Sequence, residues 1–156
     1  TQSNIEEMGV EYVEVSRSLA PRPSHAEWEG KVYTLKEFEK ACHYGEFDNP
    51  EAIYSYNCHH MHYPFFKGLS QPMEKVIPYP DKTIGGKKYT GFDITQKQRN
   101  MERDIRKLKT EKTALKAAGQ STEDISNKIK GKTNAYYTFS KATEVKPKPK
   151  RLSVVS

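Results

Sequence analysis

Residues 94–139 read ITQKQRNMERDIRKLKTEKTALKAAGQSTEDISNKIKGKTNAYYTF. Ile94, Gln98, Met101, Ile105, Leu108, Lys112 and Leu115 step alternately by four and three, so they share one stripe of a helix. Gln98 and Lys112 are the polar interruptions of that stripe. Gly119 closes the pattern, which predicts a helix over 94–118, roughly 37 Å long at 1.5 Å per residue. Ser121 is placed to N-cap a second helix, with Asp124 approximating a capping box. Ile125, Ile129, Lys132, Tyr136 and Phe139 then form a second stripe. Two stripes joined by the short AGQS turn predict an antiparallel helical hairpin. Such a hairpin buries little area alone, so its stability should depend on further packing.

Upstream of the hairpin the pattern changes. Residues 2–8 suit the end of a helix with Gly9 as its left-handed cap. Residues 10–16 (VEYVEVS) alternate as a half-exposed strand, and 31–34 (KVYT) form a second, short one. Pro21, Pro23 and Gly30 forbid a long regular element between them. Thr34 and Glu37 make a capping box for a helix over 35–43, which puts Phe38 and Cys42 on one apolar face. Residues 53–66 are aromatic-rich and are expected to be buried. The expected core is Val13 or Tyr12, Val15, Trp28, Val32, Phe38, Tyr63 and Phe65. Residues 67–82 read as irregular, and Gly85-Gly86 supplies the turn of a hairpin over 83–90. Downstream, KPKPKR at 146–151 begins a tail expected to be disordered.

The chain of 156 residues therefore reads as α+β: a small mixed α/β core at 1–72, an irregular connector with a β-hairpin at 73–92, a basic antiparallel two-helix hairpin at 93–142, and a disordered Lys/Pro tail at 143–156. Leu, Ile, Val and Phe make up only 18% of the residues, so the core should be modest. No apolar run approaches the roughly 18 residues of a membrane-spanning helix, and two cysteines cannot build a disulfide framework. Charge is split. Residues 1–62 carry eleven acids against five Lys or Arg, whereas 63–156 carry nine against twenty-one. Residues 95–116 alone hold eight Lys or Arg against Glu102, Asp104 and Glu111. Such a face is either a solvated helix surface or a docking surface for nucleic acid or an acidic protein, and Arg99, Arg103, Arg106, Lys107 and Lys109 are its candidate contacts.

All five His and both Cys lie within residues 25–62. Imidazole and thiolate suit zinc, and folding could bring His25 to Cys58 and His60. No CxxC or HxxxH pair occurs, however, so the favoured role is structural and no cofactor is expected: Cys58 a small buried hydrophobe, His60 a hydrogen-bonded orienter, and Arg22 and His25 fixing their loop against the NCHH segment. Enzymatic alternatives are a Cys58–imidazole nucleophile, or a nuclease built on Arg22, His25 and His60. No motif supplies oxyanion donors or a third, orienting group.

The runs VEVSRSLAPRPSHAEWEGKVYTL, NCHHMHYPFFKGLS and TQKQRNMERDIRKLKTEKTALKAAG, in this order, resemble the minor capsid proteins of phages and prophages of Gram-positive bacteria, relatives of the Mu F-like head-morphogenesis family. Arg22, Pro23, Ser24, His25, Trp28 and Gly30 match the first motif. Asn57, Cys58, His60, Pro64 and Phe65 match the second, and Gln98, Arg99, Glu102 and Arg103 the third. His59 stands where the family usually has Arg, and Tyr54 where many members have a further Cys. The resemblance implies the C-terminal portion of a non-catalytic virion protein, present in the phage head near the portal and in the bacterial cytoplasm during assembly. Its implied partners are portal or coat proteins, with non-specific DNA as a further one and no membrane. Members of the wider family are sometimes fused to toxin domains, so the alternative is a nuclease-like or metal-dependent toxin-type module using the His/Cys cluster of residues 25–62.

Overall fold

The computed structural model describes residues 9–154, and the helix end expected at 2–8 lies outside them. The chain divides between Pro78 and Tyr79 into two compact units.

The first unit is built on strand β1 (Tyr12–Val15), which pairs antiparallel with both β2 (Val32–Thr34) and β3 (His62–Phe65) in the order β2–β1–β3. Pro64 is tolerated because β3 is an edge strand. A single helical turn, α1 (Pro23–Ala26), lies between β1 and β2, and α2 (Leu35–Ala41) follows β2 directly. The Thr34–Glu37 capping box forms as the sequence requires. Val10, Val13, Val15, Trp28, Phe38, Cys42 and Ile53 make the core.

Three expected core residues, Val32, Tyr63 and Phe65, are outside it. Val32 and Tyr63 are 37% and 45% exposed. The register explains both: they pair with Glu14, whereas the buried Val13 pairs with Tyr33 and Pro64. In a strand neighbouring residues point to opposite faces, so a side chain opposite Glu14 cannot share the face of Val13. Phe65 is half-buried, and the aromatic run is not uniformly inside, since Tyr56, Met61 and Phe66 are exposed.

The second unit opens with the hairpin of β4 (Lys82–Ile84) and β5 (Lys87–Tyr89), whose turn residues Gly85 and Gly86 both have positive φ. Helix α3 (Gly91–Ala117) starts three residues earlier than the apolar stripe suggests, because Thr90 and Asp93 form a capping box. Only Gly fits at position 91, where a Cβ would lie 2.7 Å from the Tyr79 carbonyl oxygen. Helix α4 (Glu123–Thr143) is capped at Thr122 rather than Ser121, and without a side-chain bond. Ile94, Gln98 and Ile105 of α3 are buried, as are Ile125, Tyr136 and Phe139 of α4. Gln98 is accommodated by donating to Ser140 Oγ at 2.9 Å and to the Val145 carbonyl at 3.1 Å.

The tail corrects an expectation. Residues 145–152 are not disordered: Val145 and Leu152 are buried, and a 3₁₀ turn spans Pro149–Leu152. Val145 joins Tyr89, Ile94 and Phe139, and Leu152 joins Ile105 and Tyr136. The Lys148 N–H donates to the Tyr136 hydroxyl at 2.7 Å, and that hydroxyl donates to the buried Glu102 at 2.8 Å. Arg106 and Lys109 donate to the carbonyls of Arg151 and Leu152. The Lys/Pro composition conceals two apolar anchors that fill the groove of a hairpin needing a third element.

Candidate functional site

The residues RPSHAEWEG run from Arg22 to Gly30. Pro23 at the start of α1 fixes φ where no N–H is needed, which starts the single turn carrying His25. The backbone N–H groups of Trp28 and Glu29 donate to the His25 carbonyl. Gly30, at φ +64°, then turns the chain so that its N–H reaches the Val15 carbonyl. His25, Trp28 and Glu29 are thereby buried side by side.

Across from them runs the loop before β3. Tyr54 and Asn57 hold left-handed backbone conformations, at φ +66° and +60°. For Asn this is a common state and for Tyr a costly one. Arg22 secures the loop, its guanidinium donating to the Pro50 carbonyl and, at 3.0 Å, to the Tyr56 carbonyl. Loss of these two charge-assisted bonds in Arg22→Ala should lower the unfolding free energy by about 1.5–3 kcal/mol, read from urea denaturation. Arg22→Lys should recover little, because one ammonium lacks the fork that reaches both carbonyls. An unchanged denaturation midpoint in Arg22→Ala would remove Arg22 from this role.

The structure brings His25, Cys58 and His60 together, with one ligand atom of each within 4.8 Å of the others. Cys58 Sγ lies 3.5 Å from His60 Nδ1, with a ring nitrogen of His25 within 4.8 Å of it. His60 Nε2 is 2.8 Å from Glu29 Oε2, which also accepts the Ser18 N–H at 2.9 Å. His25 Nε2 is 3.2 Å from the Pro50 carbonyl. Trp28 walls the cluster, its ring centroid 4.6 Å from that of His25 and 4.8 Å from that of His60.

Electrostatics separate the two cysteines. Burial, with Cys58 adding to it, raises the Cys42 thiol to about 12, the state of an inert core sulfur. Burial also acts on Cys58, but hydrogen bonds from His25 and His60, and from the backbone at His60 and Tyr54, outweigh it and hold this thiol well below its ordinary value. Burial likewise opposes a charge on His60, and its bonds to Cys58 and Glu29 outweigh that and raise it. Cys58 is half-buried, whereas Cys42 is fully buried.

Of the other motif residues, Ser24 shares the turn of His25 without a place in the cluster's hydrogen bonds. Asn57 contributes its backbone conformation and is exposed. His62 instead pairs with the Tyr54 hydroxyl through Nδ1, at 2.5 Å. Glu29 is the member that the sequence did not reveal. Its one signal is an acid directly after Trp28, within the segment that carries His25. With it the cluster acquires the orienting carboxylate that the nucleophile reading lacked. Chemically the set can hold a borderline metal ion or keep a thiolate beside an imidazole.

On the basic helix the candidates diverge. Arg106 and Lys109 are committed to the tail, and Arg103 donates to Asn100 Oδ1. Lys107 points outward and is exposed. No helix among the described residues is long and apolar enough to cross a membrane.

A family model described as phage minor capsid protein 2 matches residues 1–139. No curated protein and no solved structure matches the chain.

Proposed function

The chain belongs to the phage minor capsid protein 2 family, a structural family of the phage particle, and from that premise we propose that it acts inside the head near the portal, in assembly or DNA delivery, without catalysing a reaction. The observation that supports the interior placement is the concentration of cations on one helix. Residues 95–116 hold eight Lys or Arg, and Lys107 and Lys116 among them are exposed to solvent. Solvent-exposed cations of this kind meet packaged DNA by releasing counterions from phosphates, or an acidic surface of a portal or coat protein by charge complementarity. Mu F-like kinship and the remaining motif roles of Arg22, Ser24, Trp28 and Asn57 are part of the same reading.

DNA binding by the whole chain should be weak and indifferent to sequence, falling at least about tenfold between roughly 50 and 200 mM salt. Reversing the exposed Lys107 and Lys116 to Glu should lower the log–log salt slope by about 0.9 for each phosphate no longer neutralised. Fluorescence anisotropy with two unrelated duplexes measures both. Salt-insensitive binding to one sequence would defeat the electrostatic account. Absence of DNA binding would leave protein docking, and cross-linking in purified particles would then have to join this chain to portal or coat protein for the placement to stand.

A further inference from the structure

We propose that His25, Cys58 and His60 form a zinc site, closed on three sides by protein and open at a fourth position toward solvent. This goes beyond a structural role in the particle and does not depend on where the chain sits in it.

The surroundings of the two rings fix their tautomers. A backbone carbonyl only accepts, so the 3.2 Å contact of His25 Nε2 with the Pro50 oxygen places a proton on Nε2. The carboxylate of Glu29 likewise fixes a proton on His60 Nε2, at 2.8 Å. Once a metal displaces any second ring proton, the lone pair that each ring offers is therefore on Nδ1. His60 Nδ1 faces Cys58 Sγ at 3.5 Å, and a ring nitrogen of His25 lies within 4.8 Å of this sulfur. Two imidazoles that converge on one sulfur, each held from behind by an oxygen acceptor, reproduce the outer-shell pattern of zinc-bound histidines.

The distances suit the ion. Zinc bonds of about 2.3 Å to sulfur and 2.0–2.1 Å to nitrogen at a tetrahedral angle put S and N about 3.6 Å apart. The Cys58–His60 pair is already close to that separation. The widest spread of the set, within 4.8 Å, has to contract by about 1 Å, a distance within reach of ring rotation. The charges suit it as well. A divalent cation with two neutral imidazoles balances the Cys58 thiolate and the buried Glu29 carboxylate. Trp28 and the core behind it exclude competing water. A nucleophile would need one imidazole at the sulfur and a set of oxyanion donors, whereas a metal uses both rings.

The test uses the whole reduced chain, stripped with a chelator and checked for folding by circular dichroism. Cobalt(II) should bind one equivalent, giving the visible bands of a tetrahedral ion and a near-ultraviolet thiolate-to-cobalt band that zinc then abolishes. Cys58→Ser should lose the thiolate band, and Cys42→Ser should keep it. Glu29→Gln should retain the spectrum but weaken affinity about 10–100-fold, as loss of an outer-shell partner does. Zinc should also slow alkylation of Cys58 by iodoacetamide. A folded, reduced chain that binds neither ion, or a Cys58→Ser variant that keeps the thiolate band, would overturn the site. Alkylation at the same rate with and without zinc would do so too.

Discussion

Glu29→Ala is expected to destabilise the first unit by about 3–5 kcal/mol in the metal-free chain, the range for breaking one side of a buried ion pair. Glu29 and His60 are 7% and 5% exposed, and their contact is 2.8 Å. The hydrogen bonds to Cys58 and Glu29 keep His60 charged despite burial, so removing the carboxylate leaves an imidazolium in the core with only the thiolate facing it. The Ser18 N–H loses its acceptor at the same time. Glu29→Gln should cost less, because the amide oxygen still accepts from Ser18 while the charge is gone. Trp28 is the only tryptophan, and its ring touches both His25 and His60, so its fluorescence reports unfolding of this unit directly. A loss below about 1 kcal/mol for Glu29→Ala would show that the pair contributes nothing beyond an exposed salt bridge.

The elements were legible where a local rule settles them. The Thr34–Glu37 capping box, the Gly85-Gly86 hairpin and the helix that carries the Ile94–Leu115 stripe each rest on residues a few positions apart, and each is present. What depends on register was not legible. Val32 and Tyr63 have strong strand-forming side chains, but which face they occupy follows from pairing with Glu14, a partner 18 and 49 residues away. The second helix cap is displaced by one residue: Ser121 and Thr122 are both competent N-caps, and although the helix is capped at Thr122, whose side chain makes no cap bond, Ser121 Oγ accepts the Glu123 N–H.

The cluster shows the same division. His25, Cys58 and His60 could be named from residue type, because few other side chains offer such chemistry. Glu29 could not, since it is one of twenty acids and only the Gly30 turn gives it to His60. Arg22 was expected to fix its loop by bonding carbonyls of the NCHH segment or a carboxylate. It bonds Pro50 and Tyr56 instead, the start of that loop and the residue just before Asn57. Arg106 and Lys109 were expected to face a partner. They are spent on a tail whose composition argued for disorder, and composition averages away the two apolar residues that matter.

That tail carries the second large effect. Ending the chain after Glu144 should destabilise the second unit by about 3–5 kcal/mol. Val145 and Leu152 are buried at 3% and 5% exposure, and full burial of an aliphatic side chain contributes about 1.5–3 kcal/mol each, against which stands the entropy of ordering the segment. Truncation also uncovers Ile105 and Tyr136, which share a cluster with Leu152, and leaves the Tyr136 hydroxyl without the Lys148 N–H. Two helices alone bury too little to hold their own length, so the far ends of α3 and α4 should fray first. Hydrogen exchange on the full chain and on the truncated chain tests this residue by residue: protection at Ile105 and Tyr136 should fall with the tail removed, while protection around Val13 and Phe38 should not change. The single substitution Leu152→Asp should reproduce most of the loss, because it removes the anchor and sets a carboxylate near the buried Glu102. Equal protection of Ile105 with and without residues 145–156 would mean that the hairpin stands without its third element, and the basic face would then be carried by a freestanding helix pair.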